Sequence, residues 1–492
     1  MLAVAQKEAT AVVKTTRYAI GFAILLVLLV TVSVSGFSRF AARYDDYVAE
    51  RQGAGDALRA AEVISEMRAV ALKPPSFVGV LAAGPASGLG DKYSISPGEI
   101  PVMGQAASTT GTNRWTVGDG RIDMVQVVGL VMSLLVLLFS FDAVSGEREQ
   151  GTLGLTLSQP LRRRSYLSGK ILGLAGVASL PIGGAFIAAA ATAAFAWDES
   201  LPSMEWGAFA LLVLFSVLYA AVFATLGLLI SACCRSSWTS LTICLVTWMI
   251  LCLLVPVLAD TASSRFVRYP SSYELSDGWS RLDSEYRDLV HDFEMDSIGT
   301  SFMIDHRSNY APGMRIVGLA GPRLRVETSH EETTDFVGRL VAHAEPLKVR
   351  FADRVLELNE RWSRQALRHD KMRTALGFLS PYVVYRRACE ALAATDTRSY
   401  LDFVGQARVY REQYLSWLDG NEAFRNPLYF ASLDAPEGAA EALKRDLPRF
   451  GYNAPGPWDR LRGAGWFASV LVLLSPVLWL FALVKFDRCD PR

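Results

Sequence analysis

Residues Tyr18–Gly36 read YAIGFAILLVLLVTVSVSG, a run without one charged side chain. A helix crossing a hydrocarbon core of about 30 Å needs about 20 mostly apolar residues, and this run is long enough. Five more stretches pass the same test, at about Met124–Phe141, Leu167–Ala196, Gly207–Ile230, Thr239–Ala259 and Trp466–Lys485. None has an ionisable residue near its middle, where a charge costs about 2.5–3.5 kcal/mol; Lys170 lies near one end of the third. Trp206, Trp238 and Trp466 stand at span ends, where aromatic rings favour the interface. Of the 492 residues 51% are hydrophobic and 20% charged, which leans toward a membrane chain, but the distribution decides it. The expected fold is an α-helical polytopic membrane protein with six transmembrane helices, at 18–36, 124–141, 167–196, 207–230, 239–259 and 466–485. The first run exceeds the roughly 7–15 apolar residues of a signal peptide and lacks a small-residue cleavage site, so it reads as a retained anchor.

Lysines and arginines in short loops orient the spans. Segment 1–17 carries Lys7, Lys14 and Arg17, and the loop 142–166 carries Arg148, Arg162, Arg163 and Arg164. Arg235 follows the fourth span, and Lys485, Arg488 and Arg492 end the chain around segment 486–492. The loop WDESLPSMEW between spans three and four has Asp198, Glu199 and Glu205 and no Lys or Arg. Basic loops thus alternate with an acidic one, which predicts both termini in the cytoplasm. Segments 37–123 and 260–465 then lie outside as extracytoplasmic domains.

The larger one has helical periodicity. From Ser276 it places Trp279, Leu282, Tyr286, Leu289, Val290 and Phe293 at three-to-four spacing. A second run, about Thr333 to His369, has Phe336, Leu340, Leu347, Phe351 and Val355; a third has Leu401, Phe403, Ala407, Tyr410, Tyr414 and Leu418, with Gly420 as a stop. Segment 37–123 is less regular. KPPSFVGVLAAGPASGLGD and SISPGEIPVMGQAASTTGTN are rich in Gly, Pro and Ser and predict loops.

Several chemistries lack their residues. Lys+Arg and Asp+Glu stand at 49 each, so no basic excess points to nucleic acid. The six cysteines form no Cys-x-x-Cys pair, and the five histidines no HExxH, so no metal site is expected. A phosphate-binding loop needs G-x-x-x-x-G-K-[ST]; around Gly169 and Lys170 the first glycine is Arg164 and the hydroxyl residue is Ile171. This chain is therefore not expected to be an enzyme.

The most informative polar stretch is DAVSGEREQGTLGLTLSQPLRRRSYLSGK, Asp142–Lys170. It is too long for a simple turn between neighbouring helices. Ser145 is a candidate helix cap, with Glu147 and Glu149 in the first turn, where negative charge is favoured. Thr152, Leu153, Leu155 and Leu157 give an amphipathic surface for another protein or for the bilayer face. Pro160 breaks the run, and Arg162, Arg163 and Arg164 stand where lipid headgroups would be. Composition leaves a docking role and a topological anchor both open.

SGEREQGTL followed by SQPLRRRSYLSGK resembles the signature of permease subunits of type-2 ABC exporters. There the element between spans two and three is a coupling helix that docks on a separate ABC ATPase. The resemblance implies an ATPase contact through Glu147, Arg148, Gly151, Thr152 and Leu153. It also implies two ATPase copies that bind ATP and Mg, no cofactor in this chain, and a second permease protomer, identical or paralogous, in the bacterial cytoplasmic (inner) membrane. KPPSFVGVLAAG and LSPYVVYRRACEALAATDTRSYLDFVGQARVYR, Leu379–Arg411, resemble a subgroup with a long outer domain of unknown function before the last span.

The third span is lined with small residues, Gly169, Gly173, Gly176, Gly183 and Gly184 among them. Small-xxx-small spacing lets helices approach closely, either as packing within one protomer or as a moving interface. Pro181 is a candidate bend, and the carbonyl it frees is a candidate part of a gate. Three functions fit a chain of this build: export of a substrate, mechanical transmission to an envelope protein or lipid without translocation, and a membrane-anchored enzyme or sensor. The coupling motif disfavours the last, which has no need of it.

Overall fold

The computed structural model describes every residue except 62–63, 65–66, 89–90, 96–121, 159–161, 197–202, 269–271, 303–315, 318–324, 327–330, 422, 424–443 and 488–492. Among the described residues six helices are long and apolar enough to cross a membrane. A short helix, α1 (Leu2–Val13), precedes the first of them, α2 (Thr16–Ala60). The strands β1 (Ala69–Leu72) and β2 (Lys92–Ile95) pair antiparallel around helix α3 (Phe77–Leu81). The second span is α4 (Met124–Val127), a π turn (Val128–Met132) and α5 (Ser133–Ser140). Two short helices follow, α6 (Ser145–Glu149) and α7 (Thr152–Leu157). Spans three and four are α8 (Arg163–Ala196) and α9 (Ser203–Cys233). Span five is α10 (Ser237–Trp248), a second π turn (Met249–Leu254) and α11 (Val255–Phe266). Helices α12 (Ser272–Phe302), α13 (Glu331–Gly377), α14 (Pro381–Leu392) and α15 (Thr397–Gly420) then precede span six, α16 (Pro457–Asp487).

The spans share one core, built from residues such as Leu29, Val128, Leu212, Phe223 and Tyr385. Their outward faces are apolar too. Only 11% of the fifth span's apolar window and 17% of the sixth's is buried. Such all-round hydrophobicity suits a helix whose solvent is lipid or another membrane helix.

The first span does not end at Gly36. The helix runs on to Ala60, about 68 Å in all at 1.5 Å per residue. Residues 37–60 contain no proline, and Gly36 is a point of close approach: a Cβ there would lie 2.9 Å from Val80 Cγ1. The loops expected at 73–91 and 94–113 lie past this extension; the first also holds the short helix α3, and 96–113 of the second lies outside the described residues. Helices α12 and α13 pack as a pair, with Trp279 Nε1 donating to Asn359 Oδ1 at 3.1 Å and the rings of Phe293 and His343 stacked at 3.9 Å. Ser276, where that periodicity begins, falls inside α12, which starts at Ser272.

The sequence predicts segment 260–465 as one domain outside the spans; in the structure part of it packs among them. Helix α13 runs beside span five, with Arg373 near Asp260 at 3.8 Å and the Ser263 hydroxyl 3.1 Å from His369 Nε2. The chain turns at Ser380, whose hydroxyl donates to the Leu251 carbonyl at 2.5 Å. Leu251 lies nine residues before Asp260, about 14 Å along the helix axis. Helix α14 then climbs back between the spans, with Tyr385 stacked on Tyr219 at 4.4 Å and its hydroxyl 2.8 Å from Ser216 Oγ. The apolar run Ala375–Tyr385 that forms this hairpin is too short to span, a length typical of buried or re-entrant segments.

Charged side chains also link neighbouring elements at the far end of the bundle, opposite both termini. Glu205 at the start of α9 accepts from Arg460 of α16 at 3.1 Å, from the Ser76 hydroxyl at 3.1 Å and from Val78 N at 3.2 Å. Arg387 of α14 reaches Asp370 of α13 at 2.5 Å and Glu390 at 3.0 Å. Asp123 caps α4 through Gln126 N at 2.6 Å and holds Ala83 N at 3.2 Å. The stretches KPPSFVGVLAAG and ALAATD interlock here: Thr395 Oγ1 donates to the Ala82 carbonyl at 2.7 Å, and a Cβ at Gly84 would meet the Thr395 carbonyl oxygen at 2.3 Å.

Candidate coupling site

At the terminal end, α6 and α7 fold the stretch SGEREQGTL into a corner. Gly151 makes the corner at φ +69°, a left-handed conformation that costs glycine little. Second and fourth spans approach closely just before it. A Cβ at Gly227 would lie 1.9 Å from Ser140 Oγ, so this glycine sets their separation.

Each charged residue of α6 holds a different helix. Glu147 accepts from Tyr166 OH at 2.5 Å and from Lys170 Nζ at 3.0 Å, both on α8. Lys170 also donates to Glu8 of α1 at 2.9 Å and to the Ala143 carbonyl at 2.6 Å, and is itself 2% exposed. Arg148 donates to the Cys234 carbonyl at 2.6 Å, where α9 ends and its carbonyls lack helical partners. Glu149 accepts from Ser237 N at 3.0 Å and from its hydroxyl at 2.6 Å, at the positive N-terminal end of α10. Ser231 of α9 accepts from Val144 N and Ser145 N, both at 3.0 Å. One five-residue helix therefore contacts α1 indirectly and spans three, four and five directly.

This arrangement revises the expected contact set. Glu147 and Arg148 point into the bundle, and Leu153 is 2% exposed inside the core. Thr152 and Gly151 are exposed, as are Gln150 and Gly154, and Leu155 carries the open apolar surface at 72% exposure. A turn of helix puts residues two apart on opposed sides, so Leu153 and Leu155 exchange roles.

Of the three arginines expected at headgroups, Arg162 and Arg164 are exposed. Arg163 is a correction: it donates to the Phe486 carbonyl at 3.0 Å and lies over the Phe486 ring at 5.9 Å, so it caps α16. The small residues of α8 divide. Cβ atoms at Gly169 and Gly173 would meet the Met1 carbonyl at 2.8 Å and the Ala5 carbonyl at 2.6 Å, so these two seat α1. Gly184 has only Leu26 nearby at 3.5 Å, and Gly176 and Gly183 meet nothing within 4 Å. Pro181 lies within the helix and frees the Val177 carbonyl, which accepts from Tyr18 OH at 3.3 Å. That carbonyl joins α2 to α8 rather than standing open for a gate.

Sequence reading missed Glu8, Tyr166, Ser231 and Ser237. The available signal was Lys170, an ionisable side chain inside a span end, which needs a partner to be tolerated there.

The family model described as ABC-2 family transporter protein matches residues 2–490, spans and helical domain alike. No curated protein matches the chain. Members of such a family are the membrane component of an ABC system, work with an ABC ATPase and are not themselves that ATPase. The chain is an integral membrane protein and belongs to the ABC-2 transporter family.

Proposed function

We propose that this chain is the permease subunit of an ATP-driven exporter in the bacterial cytoplasmic membrane, with both termini inside. A separately encoded ATPase docks on the exposed face of the α6–α7 corner: Gln150, Gly151, Thr152, Gly154 and Leu155. The observation that carries the reading is the radiation of Glu147, Arg148 and Glu149 to three helices, and through Lys170 to α1. A push on the corner reaches α1 and spans three, four and five through short polar links. Leu155 is the apolar anchor, and losing such an anchor costs about 2 kcal/mol or more, roughly 30-fold in affinity. Two ATPases, binding ATP and Mg, serve two permease protomers, identical or paralogous, paired in the lipid.

The test is co-purification with an ATPase encoded beside this chain. The pure permease alone hydrolyses no ATP; the complex hydrolyses it, and Leu155→Asp lowers binding without affecting membrane insertion. Robust hydrolysis by the permease alone, or unaltered binding by Leu155→Asp, contradicts the proposal.

Mechanical transmission is the second reading, and the charged joint at the far end favours it. Arg373 of α13 lies 3.8 Å from Asp260 at the far end of span five, and Arg387 with Asp370 and Glu390 fastens α13 to α14, which packs among the spans. A domain so fastened moves with the spans, as a lever for an envelope protein or lipid requires.

A further inference from the structure

Spans two and five each contain a π turn, at Val128–Met132 and Met249–Leu254. Such turns are rare, well under 1% of residues in proteins generally, and gather at functional sites. Their main-chain hydrogen bonds run five residues along, which widens the helix locally. In each turn one carbonyl accepts from a side chain of another element. The Gly129 carbonyl accepts from Tyr219 OH of α9 at 2.6 Å and from Ser133 Oγ at 2.6 Å. The Leu251 carbonyl accepts from Ser380 at the tip of the α13–α14 hairpin at 2.5 Å.

The two turns are also tied to each other. Trp248 Nε1, at the entry to the second turn, donates to Ser133 Oγ at 3.0 Å. Cys252 Sγ, inside that turn, lies 4.0 Å from Ser133 Oγ and 4.0 Å from Tyr219 OH. The hairpin presses on the first turn as well: a Cβ at Gly129 would fall 2.4 Å from a Tyr382 ring carbon. Ser133 and Tyr219 are fully buried. A polar cluster is expensive in such a place unless it does something there. Both of these spans also reach α6 at their terminal ends: span two leads into it, and α10 is held by Glu149.

We propose that the paired π turns are a register latch. In the resting chain Tyr219, Ser133 and Ser380 hold both turns in place against the hairpin. During the ATPase cycle the turns migrate along spans two and five together. Each residue a turn passes rotates by about 100°, the angle between successive helix positions, while the helix ends shift little. A pull at α6 is thereby converted into rotation of the two spans under the hairpin. This rests on the coupling reading above.

The test uses the permease–ATPase complex. Ser133→Cys is placed opposite native Cys252 in a chain whose other five cysteines are serine. Oxidation then staples span two to span five, and peptide mass analysis verifies the bond. The stapled complex is expected to lose ATPase turnover by about tenfold or more and to regain it with reductant. The same oxidant leaves the rate of Ser133→Cys with Cys252→Ser where it was before treatment. A verified staple that hydrolyses ATP at the reduced complex's rate overturns the latch. If the staple does not form, Tyr219→Phe decides, since it removes only the hydroxyl that holds the Gly129 carbonyl. Basal turnover changed by about threefold or more at equal assembly supports the latch, and an unchanged rate overturns it. Failure of the coupling reading looks different: the complex then does not assemble, or ignores Leu155→Asp.

Discussion

Lys170→Met removes an ammonium and keeps an apolar stem. The ammonium lies 2.9 Å from Glu8 and 3.0 Å from Glu147, and those carboxylates are 12% and 19% exposed. Removing one partner of a buried ion pair costs about 3–5 kcal/mol, because the charge left behind has no compensation. Glu147 retains the Tyr166 hydroxyl at 2.5 Å, and both carboxylates keep a rim of solvent, so the lower end, about 3 kcal/mol, applies here. That is roughly 100-fold in the equilibrium between seated and released α1. Hydrogen exchange of the purified permease in detergent reads it directly. Amides of α1 should lose protection by about that factor, while the centres of spans four and six stay protected. Adding Glu8→Gln and Glu147→Gln removes the stranded charges and should restore most of the protection. Protection of α1 within about twofold of the parent in Lys170→Met would refute the reasoning.

Leu153→Asp buries a charge in the core and should lower the permease's own stability by about 3 kcal/mol or more, seen as loss of monodisperse protein; Leu155→Asp should not. Asp123 supplies a pH signature, since burial pushes its carboxyl up to about 6, with Arg386 opposing. The folded value exceeds the ordinary one, so this stabilising contribution is complete below the unfolded value and is lost as pH rises through about 6. The thermal midpoint should therefore fall between about pH 5 and about pH 7, and Asp123→Asn should flatten that slope. A cysteine at Ser203 should be labelled from outside intact cells and one at Ser158 should not; the reverse pattern would invert the topology.

The six long apolar helices were legible because each apolar run reaches the length a bilayer demands. The α13–α14 hairpin was not, since Ala375–Tyr385 is apolar over too few residues to be told from a core helix. Continuation of α2 past Gly36 was hidden for another reason: a glycine that admits Val80 looks the same in sequence as one that ends a helix. The stretch SGEREQGTL stands out in the sequence, but where its side chains go does not. Glu147 and Arg148 look like a charged docking surface until their partners are known, and those lie at Lys170 and Cys234, far along the chain. A six-residue helix such as α7 carries too little periodicity to tell Leu153 from Leu155. Lys170 was noticed as a charge at a span end, but its link to Glu8 joins residues 162 apart.

The central claim is that an ATPase docks at the α6–α7 corner. A photo-reactive residue placed at position 155 tests it in living cells expressing the neighbouring ATPase, with positions 153 and 203 as comparisons. The account predicts a cross-link to the ATPase from 155 and none from 153, which is buried, or from 203, at the other end of the bundle. A cross-link from 203 with none from 155 would contradict it.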